Sequence, residues 1–597
     1  MTTKEGLQGE NLERLEANLA KVEDLSHRFV SALSKRNPAN AQLSGPDQDV
    51  FVKAATQYWS GMLQDPAKLF ENQLEFWGNS VKHYLEASQA LAKGKLEAPE
   101  DTTPTDRRFA NPLWQTHPYF NYVKQQYMLN AEAIRTAVEN VDGLTATDRA
   151  RLDYFAQQIV DMMSPTNFLG TNPDALERAV ETEGESLVKG LENLVADLEA
   201  NEGEMLVRLA DDSAFELGRN VATAEGSVVY RNQIMELIQY APTTDQVHAT
   251  PLVIFPPWIN KFYVLDLKEQ NSLIRWITDQ GYTLFVVSWF NPRPEDKDVG
   301  MEDYIEQGYL EAFRVVKEIT GEKQVNAVGY CIAGTTLHLT LALLKKRGDT
   351  SVKSATFFTA LTDFDDQGEF TPFLQDDFVD GIELEVEAQG ILRSFIMGRT
   401  MSFLRSNDLI YGPAIKSYMM GEAPPAFDLL YWNGDGSNLP GKMVMQYLRS
   451  LCQRNDFVTR GYKILGETLH VRDVEVPLMS ITCETDHIAR WKDCYRGFQQ
   501  TGSKNKSFIV SQSGHIAGIV NPPSKKKYGH YTNTDLSKDA DDWMAEAKFH
   551  QGSWWPRWEA WLKKRSGKMV PARIPGDSGY DAMEPAPGTY VAVKASI

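Results

Sequence analysis

The sequence predicts an α/β protein: a mostly parallel, doubly wound sheet with an inserted cap subdomain, preceded by an all-helical domain. Three observations lead there. From about residue 226, β-like runs alternate with helical ones, the pattern of parallel strands joined by crossover helices. One such join is a sharp strand-to-helix turn with a cysteine at its apex, Gly329-Tyr330-Cys331-Ile332-Ala333-Gly334-Thr335. Residues 1–200, in contrast, carry apolar side chains at helical spacing.

A chain of 597 residues is too long for one core. The reading divides it into a helical domain over 1–200, an α/β domain over 201–597, and a cap over 363–475 inserted in the latter. A hydrophobic share of 42% fits a folded chain, and the net charge of −20 argues against a general nucleic-acid binder. An anionic substrate stays possible at a local basic patch. The N-terminus is polar with no apolar leader, and no run reaches the length of a membrane span. The four cysteines, Cys331, Cys452, Cys483 and Cys494, form no disulfide or metal-ligand framework. A reducing cytoplasmic compartment, where a free thiol survives, is the expectation, with no metal and no cofactor.

Within the first domain, 11–33, 65–92, 118–138, 146–163 and 185–200 read as amphipathic helices, with a Pro/Thr-rich linker at 98–105. In the second, 227–239, 250–255, 282–289, 352–359, 476–483 and 507–510 read as strands, and 271–281 and 303–320 as helices. The rhythm stops at about Asp363 and resumes at Val476. A structureless loop of that length inside a compact domain is implausible, which is why the interval reads as a cap. The tryptophans near the C-terminus (Trp543, Trp554, Trp555, Trp558, Trp561) read as packing.

The turn at Cys331 has the layout of a nucleophile elbow, and the sheet is therefore expected to be that of an α/β-hydrolase fold. Gly329 and Gly334 let helix and strand approach closely; Ala333 stands where a third glycine is more usual. Gly348 is the expected left-handed residue ending the helix. A thiol nucleophile needs a base, and the base a partner that fixes its tautomer. On this sheet the order is nucleophile, acid, histidine, each after a strand. Cys331, Asp486 and His515 meet that order. His487 adjoins the acid but lacks the preceding glycine that frees His515. Asp363, Asp365 and Asp366 also follow a strand and compete for the acid role. Cys452 and Cys483 read as buried small apolar residues, and Cys494 has no base nearby in sequence. The oxyanion donors are expected at the backbone N–H of Ile332 and in the Pro-stiffened loop around Trp258 and Ile259.

Several strings resemble the polyhydroxyalkanoate synthases of the long single-subunit kind (class I). They are the cysteine box 329–335, Pro256-Pro257-Trp258-Ile259-Asn260-Lys261-Phe262, Tyr431-Trp432-Asn433-Gly434-Asp435-Gly436, Ser513-Gly514-His515-Ile516-Ala517-Gly518 and Gly552-Ser553-Trp554-Trp555-Pro556. The resemblance spans nearly the whole chain. It implies (R)-3-hydroxyacyl-CoA as substrate, with coenzyme A a product rather than a cofactor. It also implies a polyester product in cytoplasmic storage granules, a homodimer, and a helical domain that serves dimerisation and granule association. The triad carries over to Cys331, Asp486 and His515. Ala489-Arg490-Trp491 departs from the more common Val-Pro-Trp beside the acid.

The mechanism expected is acyl transfer through a Cys331 thioester, with His515 or Asp486 removing the proton of the incoming 3-hydroxyl. A hydrolase on the same fold, a thioesterase or polyester depolymerase, is the alternative; a cysteine nucleophile favours transfer. A non-catalytic granule protein would make the triad accidental. For the phosphates of CoA, Arg405 in the cap is a candidate contact, and Lys525-Lys526-Lys527 reads as a solvated run.

Overall fold

The computed structural model describes residues 4–36, 43, 105–141, 143–366 and 368–595. The helix read at 65–92 and most of the linker at 98–105 lie outside the described residues. The chain divides into two compact units: Met1–Leu209 with Arg399–Pro425, and Ala210–Gly398 with Ala426–Ile597. The interval read as a cap is thus shared, 399–425 belonging to the first unit and its flanks to the second.

The first unit is helical. Its main helices are α1 (Lys4–Leu33), α2 (Pro118–Glu139), α3 (Ala146–Met162) and α4 (Glu185–Ala200). His117 and Thr145 cap the starts of α2 and α3 by accepting from backbone N–H groups. Phe109, Trp114, Phe120, Tyr127 and Val160 form a buried aromatic-rich cluster. The 399–425 segment is tied in by Ser406, which donates to Asp161 at 2.9 Å, and by Tyr418, which donates to Asp197 at 2.8 Å. Among the described residues, no helix is long and apolar enough to cross a membrane.

The second unit is built on an 11-stranded sheet. Its strands are β1 (Gly226–Arg231), β2 (Met235–Tyr240), β3 (Gln246–Phe255), β4 (Tyr282–Trp289), β5 (Val325–Tyr330), β6 (Val352–Phe358), β7 (Leu478–Cys483), β8 (Lys506–Ser511), β9 (His530–Thr532), β10 (Lys548–His550) and β11 (Met569–Pro571). The order is β1-β2-β4-β3-β5-β6-β7-β8-β9-β10, with β11 beside the start of β3. The six central strands, β4 to β8 in that order, are parallel. Every residue of β4, β5 and β7 is buried, as expected of strands covered by helices on both faces.

The structure corrects the sequence reading in three places. The run 227–239 is a hairpin of β1 and β2, because Asn232 turns the chain: its Oδ1 accepts from the N–H of Ile234 and of Met235, both at 3.0 Å. The helix read at 303–320 is an α–π–α succession over Met301–Asp303, Tyr304–Leu310 and Glu311–Thr320. The antiparallel additions β9, β10 and β11 were absent from the reading, each being too short to display alternation. The C-terminal tryptophans pack as expected, Trp543, Trp554, Trp555 and Trp558 being at most 1% exposed.

Candidate active site

β5 ends at Tyr330, and α5 (Ile332–Lys346) starts two residues later. Cys331 makes the turn with φ +55° and ψ −127°, a strained conformation for a side-chain-bearing residue. What holds it there is close packing. A Cβ on Gly329 would meet the Cα of Gly334 at 2.6 Å, and one on Gly334 would meet Ala360 at 2.5 Å. Ala333 fits because the tight approach is made at Gly334, and its carbonyl accepts from the Tyr309 hydroxyl at 2.6 Å. The far end of α5 closes as expected: Gly348 has φ +67°, and Gly348 and Asp349 donate back to Lys345 and Leu344. Gly329→Ala is expected to lose about 1–3 kcal/mol of stability, because the neighbour it meets is backbone and cannot swing away. A denaturant midpoint equal to that of the unmodified chain would refute this.

Strand register sets the site at the carboxyl edge of the sheet. Phe255 pairs with Gly329, Tyr330 with Phe358, Phe358 with Ile481, and Cys483 with Ser511. The loops after β3, β5, β7 and β8 therefore leave the sheet side by side, and they carry Trp258 and Ile259, Cys331, Asp486, and His515. Asp486 Oδ2 lies 2.7 Å from Nδ1 of His515. Its Oδ1 accepts from the N–H of Ile488 at 2.8 Å and of Ala489 at 3.0 Å. The carboxylate is thus fully engaged, and its side chain is 0% exposed. Burial alone pulls the His515 imidazole down, but the Asp486 carboxylate and the Cys331 sulfur outweigh burial and raise it to about 10. The surroundings of His515 thus favour its charged form.

The His515 loop is fixed from behind. The Tyr330 hydroxyl donates to the His515 carbonyl at 2.9 Å. The indole N–H groups of Trp554 and Trp555 donate to the carbonyls of Gly518 and Ile519 at 2.8 and 2.9 Å. Sequence reasoning missed Tyr330 in this role; the available signal was a phenol at the end of a buried strand, next to the nucleophile.

Ile332 is the first residue of α5, so its N–H has no intrahelical acceptor and remains an available donor in the helix. The Trp258 indole packs 4.5 Å from the Tyr304 ring, and the Ile259 carbonyl accepts from Ser437 at 2.8 Å. These contacts pin the loop that follows β3.

The rivals are occupied elsewhere. Asp363 accepts from Asn455, Arg496 and Gln500. Burial pushes its carboxyl up, but these donors and the Asp365 N–H hold it below the usual range. Asp366 pairs with Arg490 at 2.6 Å, and Arg490 also reaches Asp493 at 2.7 Å. The departure at Arg490 thus builds an ion-pair link beside the acid. Burial raises the thiols of Cys452, Cys483 and Cys494. Arg405 lies in the first unit, where its Nη1 donates to the Leu404 carbonyl at 2.8 Å.

Comparison with known proteins follows the same line. Residues 105–277 match the family model described as the poly-beta-hydroxybutyrate polymerase (PhaC) N-terminus, and residues 247–522 match that of the alpha/beta hydrolase fold. A poly(3-hydroxyalkanoate) polymerase of Methylorubrum extorquens is 39% identical over 93% of this chain and 92% of its own length. The poly(3-hydroxyalkanoate) polymerase subunit PhaC of Cupriavidus necator is 39% identical over 90% of each chain. That of Rhizobium meliloti is 36% identical over 91% of this chain and 88% of its own. At this identity and coverage the chain belongs to the poly(3-hydroxyalkanoate) polymerase family, on an α/β-hydrolase fold.

Proposed function

We propose that the protein is an acyltransferase that polymerises (R)-3-hydroxyacyl-CoA into a polyester with release of CoA, and that Cys331 carries the acyl chain. The observation that carries this reading is a cysteine at a strained elbow beside an imidazole that is hydrogen-bonded to a buried, fully bonded carboxylate. The Cys331 thiolate attacks the thioester carbonyl. The bond from that carbon to the CoA sulfur breaks, and the departing thiolate takes the proton from His515. Neutral His515 then accepts the proton of a 3-hydroxyl whose oxygen attacks the acyl-enzyme. The lengthened acyl-CoA leaves Cys331 as thiolate and His515 charged again, ready for the next cycle.

Both oxygens of Asp486 being engaged supports His515, rather than Asp486, as the base for the hydroxyl. The N–H of Ile332 and the loop around Trp258 and Ile259 would stabilise the oxyanion. The homodimer, the cytoplasmic setting and association with the polyester granule belong to the same proposal.

The test is to incubate the protein with (R)-3-hydroxybutyryl-CoA and separate the products. CoA and polyester are expected in matched amounts, one CoA per ester unit. Free 3-hydroxyacid without polymer would instead identify a thioesterase or depolymerase and remove the polymerase reading.

A further inference from the structure

The acyl-CoA reading leaves one demand unmet. CoA carries a pyrophosphate and a ribose phosphate, and a chain of net charge −20 repels such an anion unless a local patch of opposite sign receives it. The run Lys525-Lys526-Lys527 is such a patch, and the structure places it beside the His515 loop. The Gln512 N–H donates to the Gly529 carbonyl at 2.9 Å, and the Gly529 N–H returns to Gln512 Oε1 at 2.9 Å. Asn521 holds the Tyr528 carbonyl at 3.1 Å. Residues 528–529 are thereby held against 512–513, two positions before His515, and the three lysines directly precede them in the chain.

All three lysines are exposed, and Lys526 takes a left-handed turn with φ +50°. Lys492 pairs with Asp541 and Lys346 with Asp473, at 2.6 and 3.2 Å. No carboxylate among the described residues lies within ion-pair distance of Lys525, Lys526 or Lys527. The Lys527 ammonium sits 4.8 Å from the Tyr528 ring centroid. Tyr528 records the local field: hydrogen bonds from Lys527 and Ser513 pull its phenol below the ordinary value. Three adjacent like charges repel one another, and nothing in the protein described here neutralises them. A bound polyanion would.

We propose that Lys525, Lys526 and Lys527 form the receiving site for the phosphate groups of the acyl-CoA substrate, at the rim of the His515 loop. This rests on the acyl-CoA reading above. The nucleotide end would lie on the lysines while the thioester reaches Cys331. The contribution is electrostatic and therefore salt-sensitive.

The test compares the unmodified protein with a variant carrying Lys525→Ala, Lys526→Ala and Lys527→Ala. Two substrates are used: (R)-3-hydroxybutyryl-CoA, and the pantetheine thioester of the same acid, which lacks the nucleotide. The triple variant is expected to lose about tenfold in kcat/KM for the CoA thioester and none for the pantetheine thioester, and its dependence on ionic strength should flatten. Equal losses on both substrates, or no loss on either, would overturn the proposal. Calorimetric titration with CoA and 3′-dephospho-CoA is read alongside, because it needs no turnover. The unmodified protein should bind CoA more tightly than dephospho-CoA, and the triple variant should lose that preference; an unchanged preference refutes the site. A protein that binds CoA in this way yet makes no polymer would instead refute the polymerase reading while leaving the lysine site standing.

Discussion

Cys331→Ala is expected to lower CoA release from (R)-3-hydroxybutyryl-CoA by at least ~10⁴-fold, as removal of a nucleophile does when the rest of the site acts through it. The fold should survive. Cys331 occupies the N-cap position of α5, yet its side chain makes no capping hydrogen bond, so the helix start does not depend on the sulfur; what is lost is its share in holding the His515 charge. Unfolding should therefore stay cooperative, with a stability loss of no more than about 1–2 kcal/mol. Cys331→Ser is the finer probe. It preserves the shape of the elbow but asks His515 to deprotonate a far weaker acid, and a loss of at least ~10² is expected. If the alanine variant released CoA at the original rate, the chemistry would have to lie elsewhere. The other three thiols are poor substitutes, since burial holds each of them in the neutral form.

The site was legible in the sequence to the extent that its signals are local. The elbow shows as small residues at Gly329 and Gly334 around a cysteine, and the structure puts the predicted contact between those two glycines. Asp486 and His515 were singled out because each follows a β-like run; the parallel strands do end level with one another, and the two side chains meet at 2.7 Å. Signals that depend on distant partners were not legible. Asp363 looked like a competing acid because nothing near it in sequence reveals Asn455, Arg496 and Gln500. The lysines at 525–527 are exposed, as a solvated run should be, while the contact between Gln512 and Gly529 that sets them beside the His515 loop is tertiary and leaves no local signal. The membership of 399–425 in the helical unit was hidden in the same way, through Asp161 and Asp197. The hairpin at Asn232 was missed for a different reason: its turn signal is one asparagine with no glycine or proline beside it, between two β-like runs.

Asp486→Asn tests the electrostatic half of the site, and its outcome follows from hydrogen bonds already present. The N–H groups of Ile488 and Ala489 both point at Oδ1 and require an acceptor there. An asparagine is therefore expected to keep its carbonyl oxygen at that position and turn its amide NH₂ toward His515 Nδ1. Nδ1 must then accept, which moves the ring proton to Nε2 and leaves no lone pair there to receive a proton from Cys331 or from the incoming hydroxyl. With the carboxylate gone, burial also gains the upper hand over the imidazole charge. A loss on the order of 10²- to 10⁴-fold in kcat/KM is expected. Stability should report the same change with a defined sign. Folded His515 keeps its proton to about 10, whereas an unfolded histidine releases it near 6.5. The stabilisation from the charged pair is thus fully present below about pH 6.5 and fades as the pH rises through about 10. Denaturant titrations of both proteins from pH 6 to pH 10 should show the stability gap between them narrowing as the pH rises. A gap that is constant, or that widens with pH, would mean that His515 is not held in its protonated form by Asp486, and the proton inventory of the proposed cycle would have to be rewritten.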